Sequence, residues 1–135
     1  MNYFANFLYK TVKNYCVDNG IRNGENGFKN TNTGYQLENI VFLELLRRGY
    51  DVSEGRMRNG QIDFIASKNI ETLFIQVTEK IDWEKTSMNY KREIGNLESI
   101  KINEPKIVLS LFDIFQKTEN GIKIFNIIDW LLEKI

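Results

Sequence analysis

The side chains best suited to chemistry are two carboxylates and an amide, Glu38, Asp63 and Gln76, followed by the hydroxyl of Thr78. Asp63 sits within QIDFIA, where strand alternation puts it on one face with Gln61 and Ile65. In FIQVT the same alternation puts Gln76 and Thr78 on a common face. If Ser67 lies opposite Thr72 across the turn between these segments, antiparallel register places Asp63 opposite Gln76. Glu38 lies toward the apolar stripe of its helix, and that helix could bring it to the same spot. Two carboxylates and an amide oxygen converging there could hold Mg²⁺ with several waters. The same residues admit a structural reading, with Asp63 as an ordinary hairpin residue and Glu38 bonded to a nearby backbone amide.

Other chemistries are narrowed by what is missing. The chain has no histidine and a single cysteine, Cys16, across its 135 residues. Ser-His-Asp triads, Cys-His dyads, imidazole bases and His- or Cys-cluster zinc sites are therefore excluded, as is an internal disulfide. No G-x-x-x-x-G-K-[ST] run is present, so no ATP site is expected in this chain. Lysine plus arginine equals aspartate plus glutamate at 18 each, so nucleic-acid binding would need a local basic patch rather than a global field. No apolar run approaches the roughly 20 residues that span a bilayer, and MNYFANFLYKTVKNY lacks the features of a signal peptide. A cytoplasmic protein without a membrane partner is the expectation.

The elements that must position these groups follow from periodicity. Phe4, Leu8, Val12 and Tyr15 fall at helical spacing, although Asn14–Asp18 reads equally well as a strand. DNGIRNGENGFKNTNTG has no periodicity and reads as a Gly/Asn-rich loop. We therefore divide the chain into residues 1–32, an N-terminal element with its loop, and residues 33–135, the main domain. Thr33 and Gln36 form a capping pattern ahead of the stripe Leu37, Ile40, Val41, Leu45. Arg47, Arg48 and then Gly49 suit that helix's C-terminus. YDVSEG, QIDFIAS and TLFIQVT read as strands, with a hairpin loop of about four residues at Lys68–Glu71. Ile94, Leu97 and Ile100 predict one buried helix face, KIVLSLF a buried strand, IKIF a short strand and IIDWLLEKI a closing helix. Helix, three strands, helix, strand predicts an α/β fold with a mixed sheet and a right-handed crossover between the third and fourth strands.

An acidic helix, an aspartate on a hairpin strand and a short motif on the next strand resemble the PD-(D/E)xK nuclease superfamily. The chain is most similar to one branch, the C-terminal domain of uncharacterised bacterial and archaeal AAA-type ATP-binding proteins. The resemblance rests on YCVDNGIRN, GYQLENIVFLELLRRGYDV, QIDFIA, FIQVT, the Arg92–Glu93 pair and PKIVLSL, spanning roughly Tyr15 to Leu132. It implies a restriction-endonuclease-like mixed sheet with a helix-strand-strand-strand-helix-strand core flanked by helices. By position, Glu38 matches the helix glutamate, Asp63 the metal-binding aspartate, and Gln76-Val77-Thr78 the E-x-K tripeptide. Mg²⁺ would be the metal, held by Glu38, Asp63 and Gln76.

The departures bear on activity. Glutamine at 76 removes a negative charge from the metal site, and threonine at 78 removes the cation that would orient an attacking water. Gln61 stands where a glutamate often precedes the aspartate in that branch, and Lys80 is the nearest substitute for the missing lysine. The resulting expectation is a catalytically degenerate, nuclease-like accessory module that binds nucleic acid or protein and belongs with an ATPase. The alternatives are an active Mg²⁺-dependent nuclease with a variant motif, or a structural domain that forms homo-oligomers.

Other charged and aromatic residues are read as supporting structure. Glu44 can pair with Arg47 and Arg48 along one helix face. Arg47, Arg48, Arg56 and Arg58 could form a phosphate-binding rim, but Asp51 and Glu54 dilute them and a solvated surface is the simpler reading. Arg92 and Glu93, apart from the resemblance, read as a helix-surface pair. Trp83 and Trp130 are expected to pack rather than to stack on bases.

Overall fold

The computed structural model describes residues 2–4, 8–12, 33–58 and 60–133, the first two ranges as strand backbone only. Strands β1 (Asn2–Phe4) and β2 (Leu8–Val12) precede helix α1 (Thr33–Arg47) and the three strands β3 (Asp51–Met57), β4 (Gly60–Lys68) and β5 (Glu71–Thr78). Helix α2 follows as three contiguous pieces: a helical turn Met88–Tyr90, a π turn Lys91–Gly95 and a second helical turn Asn96–Glu98. The chain then forms β6 (Lys106–Ser110), β7 (Lys117–Glu119), β8 (Ile122–Asn126) and α3 (Ile127–Leu131).

The molecule is a mixed α/β sheet flanked by helices. Strands β3, β4 and β5 are successive antiparallel neighbours, β5 and β6 run parallel, β6 and β8 run parallel, and β7 closes the edge antiparallel to β8. A parallel β5–β6 pair needs a crossover, and the segment carrying α2 supplies it. On the other side, β2 pairs with β3 and β1 with β2, so the full order is β1-β2-β3-β4-β5-β6-β8-β7. The helix expected through Phe4, Leu8 and Val12 is thus replaced by two strands. The open edge of β3 offers backbone partners to an extended segment, whereas a helix this short would have to nucleate alone. Tyr15, Asn14–Asp18, the YCVDNGIRN segment and the Gly/Asn-rich loop as far as residue 32 lie outside the described residues, and Thr33 and Gly34, read as the loop's end, open α1.

Alternation sorts the apolar side chains into two layers. Phe64, Ala66, Ile75, Val77 and Leu109 meet Leu37, Val41 and Leu45 of α1 together with Trp130 of α3. Ile62, Ile65, Phe74, Val108 and Ile124 meet Tyr90, Ile94 and Leu97 of α2 on the opposite face. β7 had no counterpart in the sequence reading. It is three residues long with its first two exposed, so it carries no burial pattern.

The boundaries follow local chemistry. At the end of α1, Gly49 adopts φ +90, and the bonds Gly49 N–H to Leu46 O and Tyr50 N–H to Leu45 O close the last turn. The β4–β5 connection is tighter than expected. Lys68 pairs with Glu71, leaving only Asn69 and Ile70 in the turn, with Asn69 at φ +55. Glu44 takes Arg47 Nε at 2.7 Å and Arg48 Nε at 2.6 Å, and the Arg47 bond above all holds its carboxyl down at about 2. Arg48 also lies 4.3 Å from the Trp130 ring and donates to Trp130 O, which ties α1 to α3.

Because Gly49 sits where an L side chain is strained, Gly49→Ala is expected to cost about 1–3 kcal/mol. Urea unfolding of the two proteins measures this directly; an unchanged midpoint would mean the turn tolerates a Cβ.

Candidate functional site

The β4–β5 ladder runs in the expected register, Ser67 opposite Thr72, as far as Phe64 opposite Ile75. At the next position side chains take over. The Asp63 N–H donates to Gln76 Oε1 at 2.8 Å, and the Val77 N–H donates to Asp63 Oδ2 at 2.9 Å. The amide nitrogen of Gln76 donates to Gln61 O and to Arg92 O, both at 3.0 Å. Gln76 is 1% exposed, and its acceptor and both of its donor hydrogens are engaged.

A bulge on the other side of β4 sets this up. Ser53 pairs with Ile65 and Gly55 with Ile62, so β4 carries one more residue than β3 over that interval. Ile62 and Ile65 consequently fall in the same core, on the α2 face. Strict alternation had predicted that Gln61, Asp63 and Ile65 share a face; the extra residue breaks that phase next to Asp63.

The α2 face closes from above. A Cβ on Gly60 would displace the Asn96 side chain, whose Nδ2 donates to Gln61 O at 3.2 Å. The π turn presents the Arg92 carbonyl to Gln76, and a side chain inserted against a helical ladder in this way is a recognised cause of its distortion. On the far side the exit of β5 is anchored by Asp113, which accepts from the Ile81 N–H at 2.8 Å, Trp83 Nε1 at 3.2 Å and the Ser110 hydroxyl. Sequence reasoning overlooked Asp113, because its partners come from two segments that are distant in the chain. Trp83 packs edge-on to Tyr90 and under Lys117, in keeping with a packing role.

Between these supports lies a cleft of about 580 Å³. Gly34 and Glu38 line it from α1, Gln61 and Asp63 from β4, Val77–Lys80 from the end of β5, and Asn89, Arg92 and Glu93 from α2. Glu38, Asp63, Thr78 and Lys80 thus all line this one cleft. Gln76 does not line the cleft; the oxygen expected to face a cation accepts the Asp63 N–H instead. Thr78 donates its hydroxyl to Lys80 O at 3.2 Å.

The Arg92–Glu93 pair is not the surface pair it resembled. Glu93 is 3% exposed, and its Oε1 accepts from Arg92 Nε at 2.8 Å. Its Oε2 finds no partner among the described residues. Burial pushes the Glu93 carboxyl up, Arg92 pulls it partly back, and the charge of Glu38 adds to the rise. Arg92 is raised above the ordinary arginine value, first by its bond to Glu93, against an opposing effect of burial, and then by the charges of Glu93, Asp63 and Glu38. One sequence signal pointed here: Glu93 falls on the same helical face as Tyr90 and Leu97.

The arginine rim does not form. The Arg48 carbonyl receives Lys68 Nζ at the end of β4, whereas Arg56 is paired with Gln61 at its beginning and bonded to Glu54 at 3.3 Å. The four arginines are thus split between opposite ends of β4.

The residues present do not fit Mg²⁺ as the chain stands. Among the described residues no group of three or more His, Cys, Asp or Glu side chains is placed to hold a metal ion. Gln76 is turned away, and Arg92 is bonded to Glu93 and feels the charges of Asp63 and Glu38. No helix of the described residues is long and apolar enough to cross a membrane.

The chain is 42% identical over 128 residues to an uncharacterised protein of Haemophilus influenzae; the match covers 94% of this chain and 30% of that protein. The chain thus spans less than a third of its relative's length. No protein-family description matches the sequence, and no solved structure does.

Two measurements test this geometry. Gln76→Glu removes both donors and sets a carboxylate against two buried carbonyls, so urea unfolding should show a loss of about 2–4 kcal/mol; wild-type stability would contradict the bonding described. For Glu93, the folded pKa is raised, so the folded state binds more protons than the unfolded chain between the ordinary glutamate value of 4.5 and the raised one. The Glu93 contribution to stability is full below that window and is lost as pH rises through it. Wild type should therefore lose stability relative to Glu93→Gln on going from pH 4 to pH 8, as followed by denaturant midpoints; parallel pH profiles would count against a raised carboxyl.

Proposed function

We propose that this chain is a nuclease-like domain of restriction-endonuclease type whose catalytic motif is degenerate, serving as an accessory binding module of a larger, ATPase-linked protein. The observation that carries this reading is the Gln76 amide. At the position of the second acid of the motif, the side chain joins Asp63, Gln61 and Arg92 through backbone groups, a task that needs donors a carboxylate lacks. Thr78, at the position of the motif's lysine, brings a hydroxyl bonded to the backbone rather than a cation.

Support for the fold comes from the order helix, antiparallel trio, crossover helix and parallel strand, with Glu38 and Asp63 lining one cleft at the junction of α1 and the sheet. Support for a module within something larger comes from the length of the relative, which extends well beyond the matched region. The charge of the cleft bears on its partner. Glu38, Asp63, Glu79 and Glu93 face only Lys80 and Arg92, so a bare phosphate would meet net repulsion there. A protein partner suits this cleft better than nucleic acid, and nucleic acid, if bound, would use another surface.

The test is cleavage of single- and double-stranded DNA and RNA with Mg²⁺ or Mn²⁺, wild type beside Asp63→Ala. We expect no metal-dependent cleavage by wild type above the level of the variant. Cleavage by wild type alone would establish the competing reading, an active nuclease that uses Asp63 and Glu38 with Lys80 assisting.

A further inference from the structure

We propose that the outer edge of β7 is a self-association surface, on which a second copy of this chain adds its own β7, antiparallel, about a two-fold axis at Thr118. The surface lies at the end of the sheet, beyond β6 and β8, and does not depend on how the cleft is read.

β7 ends the strand order, and no strand among the described residues pairs with its outer side. Its register on β8 fixes which backbone groups face out. Glu119 pairs with Ile122 across a two-residue turn, in which Asn120 has φ +52 and Gly121 φ +81. In such a hairpin the closing pair exchanges both backbone bonds, and bonding then alternates along the strand. Glu119 and Lys117 therefore bond toward β8, and the N–H and C=O of Thr118 point outward. Two copies related by a two-fold axis at this position can exchange both bonds, Thr118 to Thr118.

The charges choose this register. With the axis at Thr118, Lys117 of each copy stands opposite Glu119 of the other, an attractive cross-strand pairing made twice. An axis moved one residue either way would set Lys117 against Lys117 or Glu119 against Glu119. A lysine on an edge strand commonly discourages pairing. Here Lys117 Nζ lies 3.8 Å over the Trp83 ring, and Glu119 accepts from the Tyr90 hydroxyl at 3.1 Å. Both side chains thus lie along the α2 face and leave the edge itself uncovered.

A three-residue ladder is too small to hold two proteins together, so apolar area must come from beside it. The segment leading into β7 supplies it: Phe112, Ile114 and Phe115 are 60%, 65% and 79% exposed. Their backbone is held in place, since Asn126 Nδ2 donates to Leu111 O and Asp113 O while the Asp113 carboxylate takes the Ile81 N–H. Side chains displayed on a fixed chain lose less freedom on association than those of a loose loop. Counted from the same axis, Phe115 falls opposite Gly121 of the other copy, where no side chain intervenes.

The experiment is sedimentation velocity over a micromolar-to-millimolar concentration series, with thermal unfolding to show that each protein is folded. Wild type, Thr118→Pro, Lys117→Glu, Glu119→Lys and an equimolar mixture of the last two are compared. We expect wild type to pass from monomer to dimer within the series. Thr118→Pro removes the outward N–H and leaves the bonds to β8, so dimerisation should weaken at least about tenfold. Each charge variant alone sets like charges opposite one another and should dimerise more weakly than wild type. Mixed, the two are complementary and should recover association close to that of wild type, a readout that stands even if the proline variant folds poorly. A wild type that stays monomeric throughout overturns the proposal and leaves the edge to a strand of another protein. A dimer that survives the charge variants unchanged, or a mixture that does not recover, overturns it as well.

Discussion

Where β4 and β5 stop exchanging backbone hydrogen bonds, two N–H groups and the Gln61 carbonyl are left without ladder partners, and the Arg92 carbonyl of the π turn faces the same gap. The Gln76 amide and the Asp63 carboxylate supply them, reaching across the gap to each other's strand and on to the π turn of α2. An unpaired buried donor or acceptor costs about 1–3 kcal/mol, comparable to a good part of a domain's net stability. The two side chains are therefore as much part of the sheet as its backbone. Their bonds hold β4, β5 and α2 in one arrangement, and the cleft is the space that arrangement leaves beside the start of α1.

This constraint explains why the cleft has the composition it does. Asp63 is committed in part to the Val77 N–H, Gln76 is committed wholly, and the task of balancing charge passes to Arg92 and Glu93. Two adjacent residues can have opposite fates because they leave the helix on different sides, Arg92 toward solvent and Glu93 toward the core. A buried ion pair of this kind is weak support for stability taken alone, since desolvation of the carboxylate offsets much of the attraction. Its consequence is local: it decides which cation the acids face.

The supports of the site are built from ordinary packing. Phe64, Ile75 and Leu109 on one face and Ile65, Phe74 and Val108 on the other clamp the central strands between α1 and α2. Asp113 gathers the exit of β5, the Trp83 indole and Ser110 into one cluster, which fixes where Lys80 leaves the sheet. Arg48, wedged between Glu44 and Trp130, does the same for the opposite end of α1.

Much of this was legible in the residues themselves. Leu37, Val41 and Leu45 of the α1 stripe (its fourth member, Ile40, is exposed), the alternation in β5, the Ser67–Thr72 register and the glycine stop at Gly49 are encoded by local spacing and turn chemistry, which depend little on the rest of the chain. The same spacing put Asp63 near the end of β5 and Glu38 beside it, and Thr78 and Lys80 line the same cleft. Alternation misled at β4, because a bulge is decided by how neighbouring strands fit and leaves no mark in the period. The apolar spacing of Phe4, Leu8 and Val12 misled likewise, since an open sheet edge can claim a segment that would otherwise have to form its own hydrogen bonds. Composition alone removed imidazole chemistry, Cys-cluster metal sites and an internal disulfide. Only the tertiary structure decided that the Gln76 amide turns inward, that Glu93 is buried and that Arg92 pairs with it. Those outcomes depend on which backbone groups are left unpaired when strands and helices meet, and no single segment contains that information.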